Sequence, residues 1–473
     1  MATQTRLTTP TTAPTSHAPP PRSLTWRALR PLVMRVHFYA GVLVAPLLLV
    51  AAVTGLLYTA SPQLERIVHG DVLSVPAPSG PTAPLAEQVA AARAAHPEGT
   101  ISAVRPAAEP GGTTRVVLAD VPGLDADHGR TVFVDPQGAR VVGAETTSGE
   151  WLPVRAWLDE LHRTLHAGDV GRLYSETAAS WLWVVVLGGL ALWIGKLRVR
   201  RKLADVPGRP RLARRHALLG GVLAFGLLGL SATGLTWSHY AGDNVSQLRA
   251  DLSMSTPALA AGVEGDAAAG HEGHAGHDTG GGAQGVVASG VGPDRIMAAA
   301  VGAGLQLPME LTPPAEAGDR WLVSEVKRSW PVRQDSVAVD GATGRAVDEL
   351  RFADWPLAGK LAEWGVDAHM GLLLGLANQL VLAAVAIGLL VLIAWGYRMW
   401  WLRRPTKSVA RSVGRPPARG ASRRVPLPVL LPAIAVTALV GWFLPLLGIT
   451  LVAFLLLDVL LGLRRRPGYR RLG

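Results

Sequence analysis

Long apolar blocks alternate with polar stretches along this chain. Val36 to Tyr58, Ala179 to Ile194, Ala217 to Trp237 and Gly371 to Trp395 are nearly free of charge. At about 1.5 Å per helical residue, each is long enough, or nearly so, to cross a hydrocarbon layer of ~30 Å. A fifth apolar region, Val425 to Leu463, is roughly twice that length. Pro445 and Gly448 interrupt it, which predicts two short spans joined by a tight turn. The stretches between the blocks carry shorter periods. Pro84 to Ala95 reads as a helix, and Arg115 to Leu118, Thr131 to Val134 and Arg140 to Val142 read as strands with a tight turn at Asp135-Pro-Gln-Gly138. The second long stretch has the same order: a helix over Asp294 to Gly304, strands over Trp321 to Val326 and Ser336 to Val339, the turn Asp340-Gly-Ala-Thr-Gly344, then Ala346-Val347.

The apolar blocks also repeat. Placing His37-Phe-Tyr-Ala-Gly41 on His216-Ala-Leu-Leu-Gly220 superposes Thr54-Gly55-Leu56 on Thr233-Gly234-Leu235 without a gap. A His-x-Gly element precedes the second block at His166-Ala-Gly168 and the fourth at His369-Met-Gly371. The expected fold is therefore an all-α membrane bundle with inserted α+β modules: four core transmembrane helices in two repeated halves, each enclosing one module, plus a C-terminal hairpin.

Charge sets the expected orientation. Arg200, Arg201, Lys202, Arg211, Arg214 and Arg215 crowd the link after the second block, and the stretch 398–424 and the tail 464–473 are equally basic. Short loops that stay in the cytoplasm retain Lys and Arg, so these segments face inward and the two long inserts face outward. The chain then divides into a disordered cytoplasmic tail (1–30), a first span (31–60), an extracytoplasmic module (61–160), a pre-helix and second span (161–197) and a basic loop (198–215). A third span (216–240), a second module (241–368) with a Gly, Ala and His-rich insert (262–290), a fourth span (369–397), a basic loop (398–424), a transmembrane hairpin (425–463) and a basic tail (464–473) follow.

Composition agrees with this reading. The 473 residues are 49% hydrophobic, and a mean hydropathy of +0.26 is too high for an ordinary soluble protein. The net charge of +11 sits beside the spans and reflects topology and anionic lipid, so nucleic acid is not an expected partner. The absence of cysteine excludes disulfides, thiolate zinc, iron–sulfur clusters and covalently attached c-type haem.

Histidine carries the candidate chemistry. Ionisable residues in spans are costly and functional by default, and neutral imidazole is a common axial ligand of haem iron in a helical bundle. His37 and His216 begin parallel helices at one depth and can face each other near the inner surface. His369 begins an inward-running helix at the outer surface, with His162 and His166 just before the other one. His162 and His166 are four apart and would face the same side of a helical turn, so spacing does not choose between them. Two layers result, each able to hold one haem b. Arg163 and Arg172, on the outside where the charge rule gives no reason for them, are candidates for propionate contacts. Any single histidine at a span end also has a plain reading as an interfacial residue. His17, His69, His96 and His128 read as solvated, His239 as interfacial, Asn378 and Gln379 as mid-membrane polar glue, and Trp181, Trp183, Trp237, Trp395, Trp400 and Trp401 as an interfacial belt. His271, His274 and His277, spaced by three in a flexible insert, could gather a labile Cu, Zn or Ni ion.

At these residues the chain resembles the PepSY-associated transmembrane family of bacterial plasma-membrane proteins. The matching elements are Arg35-Val-His37 with Thr54-Gly55-Leu56, Leu161-His162-Arg163 with Gly168 and Gly171-Arg172, Arg215-His216 with Thr233-Gly234-Leu235, and His369-Met-Gly371 with Gly375 and Gln379. The turns at Asp135 and Asp340 look like those that close a PepSY module. The resemblance spans roughly residues 30 to 403. It favours His162 over His166, and it implies a haem-bearing transmembrane reductase of an extracytoplasmic ferric siderophore; taken with the two histidine layers, the expectation is a di-haem electron-transfer protein that reduces a ferric or cupric species outside the cell. A quinol or a separate cytoplasmic reductase would supply electrons, because no flavin or nicotinamide domain follows the last span. The competing expectations are a haem-free membrane protein whose modules bind peptides, peptidases or an envelope partner, and a metal-handling protein led by the His-rich insert.

Overall fold

A computed structural model describes residues 24–76, 80–195, 209–252, 254–257, 259, 291–316, 318–403 and 425–464. The described residues are mostly helical, with one antiparallel sheet. Helices α1 (Leu24–Leu43) and α2 (Ala45–Tyr58) lead into short α3 (Ser61–Val68) and α4 (Gly70–Leu73), then α5 (Leu85–Ala95). Strands β1 (Thr100–Arg105), β2 (Thr114–Ala119), β3 (Gly129–Asp135) and β4 (Arg140–Thr147) precede α6 (Pro153–Thr164), α7 (Gly168–Ile194), α8 (Arg209–Thr236) and α9 (His239–Asp251). Helix α10 (Pro293–Gly302) introduces β5 (Met309–Thr312), β6 (Arg320–Glu325), β7 (Ser336–Asp340) and β8 (Ala346–Leu350). Helices α11 (Leu357–His369), α12 (Leu376–Trp401), α13 (Leu427–Phe443) and α14 (Pro445–Arg464) are the last described elements.

Among the described residues three helices, α7, α8 and α12, are long and apolar enough to cross a membrane. The first apolar block is not one straight span. Residues 28–43 and 45–58 meet at 57°, and the cause is Pro46, whose ring cannot donate to the carbonyl four residues back and collides with it. That freed carbonyl, on Val42, accepts the Tyr397 hydroxyl of α12 at 2.9 Å. Glycine decides how the spans touch: a Cβ at Gly388 would meet Leu223 at 2.3 Å, and one at Gly221 would meet the Trp193 ring at 3.2 Å.

The two polar inserts do not form separate modules. Their strands make one eight-stranded sheet in the order β4-β3-β2-β1-β5-β6-β7-β8, joined where β1 meets β5 at Val104 and Leu311. Alternation along the strands sends Val104, Val116, Val132, Leu311, Val323 and Val337 into a core with α5 and α10 on one face. The opposite face, including Phe133, packs with Val72 and Leu152 towards the bundle. Strands β4 and β8 are the two edges, and each is followed by a helix, α6 and α11, that returns to the bundle.

Helices α13 and α14 are apolar and shorter than the three spans. Gly441 and Gly448 let their backbones touch, since a Cβ at Gly448 would lie 2.3 Å from the Gly441 carbonyl. The pair docks on the bundle through Arg35–Asp458 at 2.6 Å, Trp181 Nε1 donating to Thr450 Oγ1 at 2.8 Å, and Asn244 donating to the Phe443 carbonyl at 2.9 Å. Trp181 is thus a buried packing residue and not part of an interfacial belt.

Candidate functional site

Helices α1, α6, α8 and α11 each bring one histidine inward, and the four make two pairs. The rings of His37 and His216 have centroids 6.5 Å apart at 72°, and those of His162 and His369 are also 6.5 Å apart, at 47°. Local sequence makes room for each. Gly188 and Gly189 on α7 lie against His37, where a Cβ would come within 3.4 and 3.1 Å of its side chain, and Gly55 lies against His162 at 3.1 Å.

The hydrogen bonds at Nδ1 orient three of these rings. His37 Nδ1 is 2.9 Å from the Val185 carbonyl, which can only accept, so that nitrogen carries the hydrogen. His162 Nδ1 meets Thr54 Oγ1 at 2.9 Å, and that hydroxyl lies 3.0 Å from the Val50 carbonyl, to which its single hydrogen goes. Thr233 does the same for His369: its Oγ1 is 2.7 Å from Nδ1 and 2.8 Å from the Gly229 carbonyl. In each case Nδ1–H donates and Nε2 keeps its lone pair. No hydrogen bond reaches Nε2 of His37, His162 or His369 among the described residues.

The spacing of each pair suits two imidazoles bound to one metal ion. Two metal–nitrogen bonds of about 2 Å plus the two ring radii place facing imidazole centroids roughly 6 Å apart. Four residues, His37 with His216 and His162 with His369, could therefore hold two six-coordinate haem irons. The Thr233 contact lies seventeen residues along α8 from His216, about 25 Å by the helical rise. The two pairs stand at different depths. No cluster of three or more metal-binding side chains occurs among the described residues, and His271, His274 and His277 lie outside those residues.

Several expectations are corrected. His162 and His166 do not share a helix face, because α6 ends at Thr164 and Leu165 and His166 turn left-handed at φ 54° and 52°. His166 stacks on Trp157 at 4.9 Å instead. His369 ends a helix and does not begin one, since Gly371 and Gly375 at positive φ break the chain before α12. Asn378 and Gln379 therefore lie in the first turn of α12, where Asn378 donates to the Ala368 carbonyl at 2.9 Å and Gln63 donates to Gln379 at 2.6 Å. His69 is buried beside Glu145 at 3.2 Å. Arg163 pairs with Asp159 at 3.1 Å.

A charged network that the sequence did not reveal caps the outer pair. Buried Arg328 donates from Nε to Asp367 at 2.8 Å, meets Glu150, and reaches Met370 Sδ at 3.4 Å. The Trp151 ring is approached by the guanidinium groups of Arg155 at 3.6 Å and Arg328 at 5.2 Å, and Arg155 donates to the Tyr58 hydroxyl at 3.1 Å. Burial, helped by Asp367, raises the Glu363 carboxyl to about 7. Burial likewise raises Asp367 to about 6 although Arg328 opposes it.

Residues 34–403 match the sequence pattern of the PepSY-associated TM region. The match takes in all four paired histidines and stops before α13. No curated protein matches the chain.

Proposed function

Because the chain belongs to the PepSY-associated transmembrane family, we propose that it is a b-type di-haem electron-transfer protein that reduces an extracytoplasmic ferric siderophore or cupric species. The observation that carries the reading is the spacing of two histidine pairs, both at 6.5 Å, with Nδ1 engaged in His37, His162 and His369, while Nδ1 of His216 is buried without a partner. His37 and His216 would hold the inner group, His162 and His369 the outer one. A haem bound between these imidazoles would supply one-electron redox chemistry. The protein's own part is to fix imidazole tautomer and orientation and to keep the inner pair in an apolar bundle. Arg163 and Arg172 remain candidates for propionate contacts.

The finer layout belongs to the same reading. Four core helices form two repeated halves, with the bent α1–α2 pair as the first, and α13–α14 form a hairpin. Both termini face the cytoplasm of a bacterium and the sheet faces outward, as the basic residues beside the spans indicate. A quinol or a cytoplasmic reductase delivers electrons to the inner pair; a labile Cu, Zn or Ni ion held by His271, His274 and His277 belongs instead to the alternative reading of a metal-handling protein.

The test is a visible spectrum of the detergent-purified protein before and after dithionite. Two b-type components are expected, one removed by His37→Ala or His216→Ala and the other by His162→Ala or His369→Ala. A colourless preparation from cells with ample haem would overturn the proposal and favour a haem-free PepSY protein that binds a peptide or envelope partner.

A further inference from the structure

The bundle-facing side of the sheet holds a second cluster that the histidine pairs do not use. Strand alternation puts Arg105, Arg115, Thr131 and Phe133 on this side, opposite the core with α5 and α10. They line a recess closed by Glu150 and Leu152. Its enclosed part is about 10 Å³, room for roughly one water-sized group. Arg105 is held by Glu310 and lies 3.6 Å from Glu150. Arg115 differs. Among the described residues its guanidinium makes no hydrogen bond or ion pair, and its contact is the Phe133 ring at 5.9 Å. Burial, then the like charge of Arg105, holds its pKa below the ordinary value, although the nearby Glu150 and Glu65 carboxylates pull the other way without bonding the guanidinium.

A partly buried guanidinium with no protein acceptor leaves its five donors to water, which a better-matched anion can displace. Carboxylate and phosphate oxygens are its geometric complement. We propose that this recess is an oxyanion site in which Arg115 takes one oxygen of a carboxylate or phosphate group, the rest of the ligand staying outside the sheet. The recess is also tied to the outer histidine pair. Glu150 at its wall meets Arg328, which meets Asp367, two residues before His369. Resting on the redox reading above, the site assigns the electron acceptor a class: an iron chelate with free carboxylate arms, seated between sheet and bundle.

The experiment is calorimetric titration of the detergent-purified full chain with citrate and, separately, with inorganic phosphate at low salt. Saturable citrate binding is expected, at least tenfold weaker in Arg115→Gln and intermediate in Arg115→Lys, with unchanged thermal midpoints showing that the variants fold. Binding of both anions supports a general oxyanion site, and citrate alone supports the carboxylate chelate. Phosphate alone supports the site and rejects the chelate class. If neither anion binds, or Arg115→Gln binds as tightly as the parent, the proposal falls. A colourless protein with Arg115-dependent binding would sink the redox reading and leave this site standing. Intact haem spectra with no anion binding would do the reverse.

Discussion

Thr54 and His162 meet side chain to side chain, Oγ1 to Nδ1 at 2.9 Å, and the same contact recurs between Thr233 and His369 at 2.7 Å. The two threonines belong to the repeated Thr-Gly-Leu elements, so one short motif supplies both an acceptor for the imidazole N–H and a glycine beside the ring. Replacing Thr54 by Val keeps the shape and removes the acceptor. Outer-site metal affinity should fall by about ten- to a hundredfold, as expected when a supporting hydrogen bond to a ligand is lost. Haem retention during dialysis and a redox titration of the outer component measure it, and an unchanged potential and affinity would refute the tautomer argument.

The glycines predict a split phenotype. A Cβ at Gly55 would sit 3.1 Å from His162, and one at Gly189 would sit 3.1 Å from His37. Gly55→Val should remove the outer spectral component and keep the inner, while Gly189→Val should do the opposite. Low-temperature reduced spectra distinguish the components.

Glu363 predicts a pH dependence. Its folded pKa of about 7 stands above the ordinary 4.5, so the folded protein binds more protons between those values and stability falls as pH rises through that window. Glu363→Gln keeps a hydrogen-bonding oxygen towards Gln334, which is 3.1 Å away. It should raise stability by on the order of 2 kcal/mol at pH 8 and have little effect near pH 4.5. Thermal midpoints in nanodiscs at the two pH values test this, and equal gains at both would contradict it.

The seam of the sheet predicts a stability effect far from any histidine. Leu311 is fully buried and pairs with Val104 across it. Leu311→Ala should cost about 2–5 kcal/mol. Denaturant unfolding and faster proteolysis between β1 and β5 would register the loss, and a change below about 1 kcal/mol would mean that the halves do not depend on the join.

The spans were legible because continuous apolar length is a strong signal, and the offset from His37 to Thr54 matched that from His216 to Thr233 in plain text. Pro46 was visible too, yet its effect was missed within an otherwise unbroken apolar block. The central strands β1 and β5 escaped notice for a different reason. One is interrupted by a bulge between Ile101 and Ala103, and the other is only four residues long, so neither shows sustained alternation. Their pairing spans about 200 residues of chain, which local periodicity does not report. The choice between His162 and His166 turned on two left-handed residues at a helix end, and neither is glycine. Arg328, Asp367 and Glu150 meet only because sheet and bundle stack, so no spacing could have announced them.

Helices α6 and α11 hang from opposite margins of the sheet, which at about 4.8 Å per strand stand roughly 34 Å apart, yet His162 and His369 converge beneath it. The outer layer therefore works as an arch whose two feet carry the imidazoles. A change of twist anywhere along the arch would alter how those feet meet. A ligand wedged under its span would press on the same joint without touching either ring.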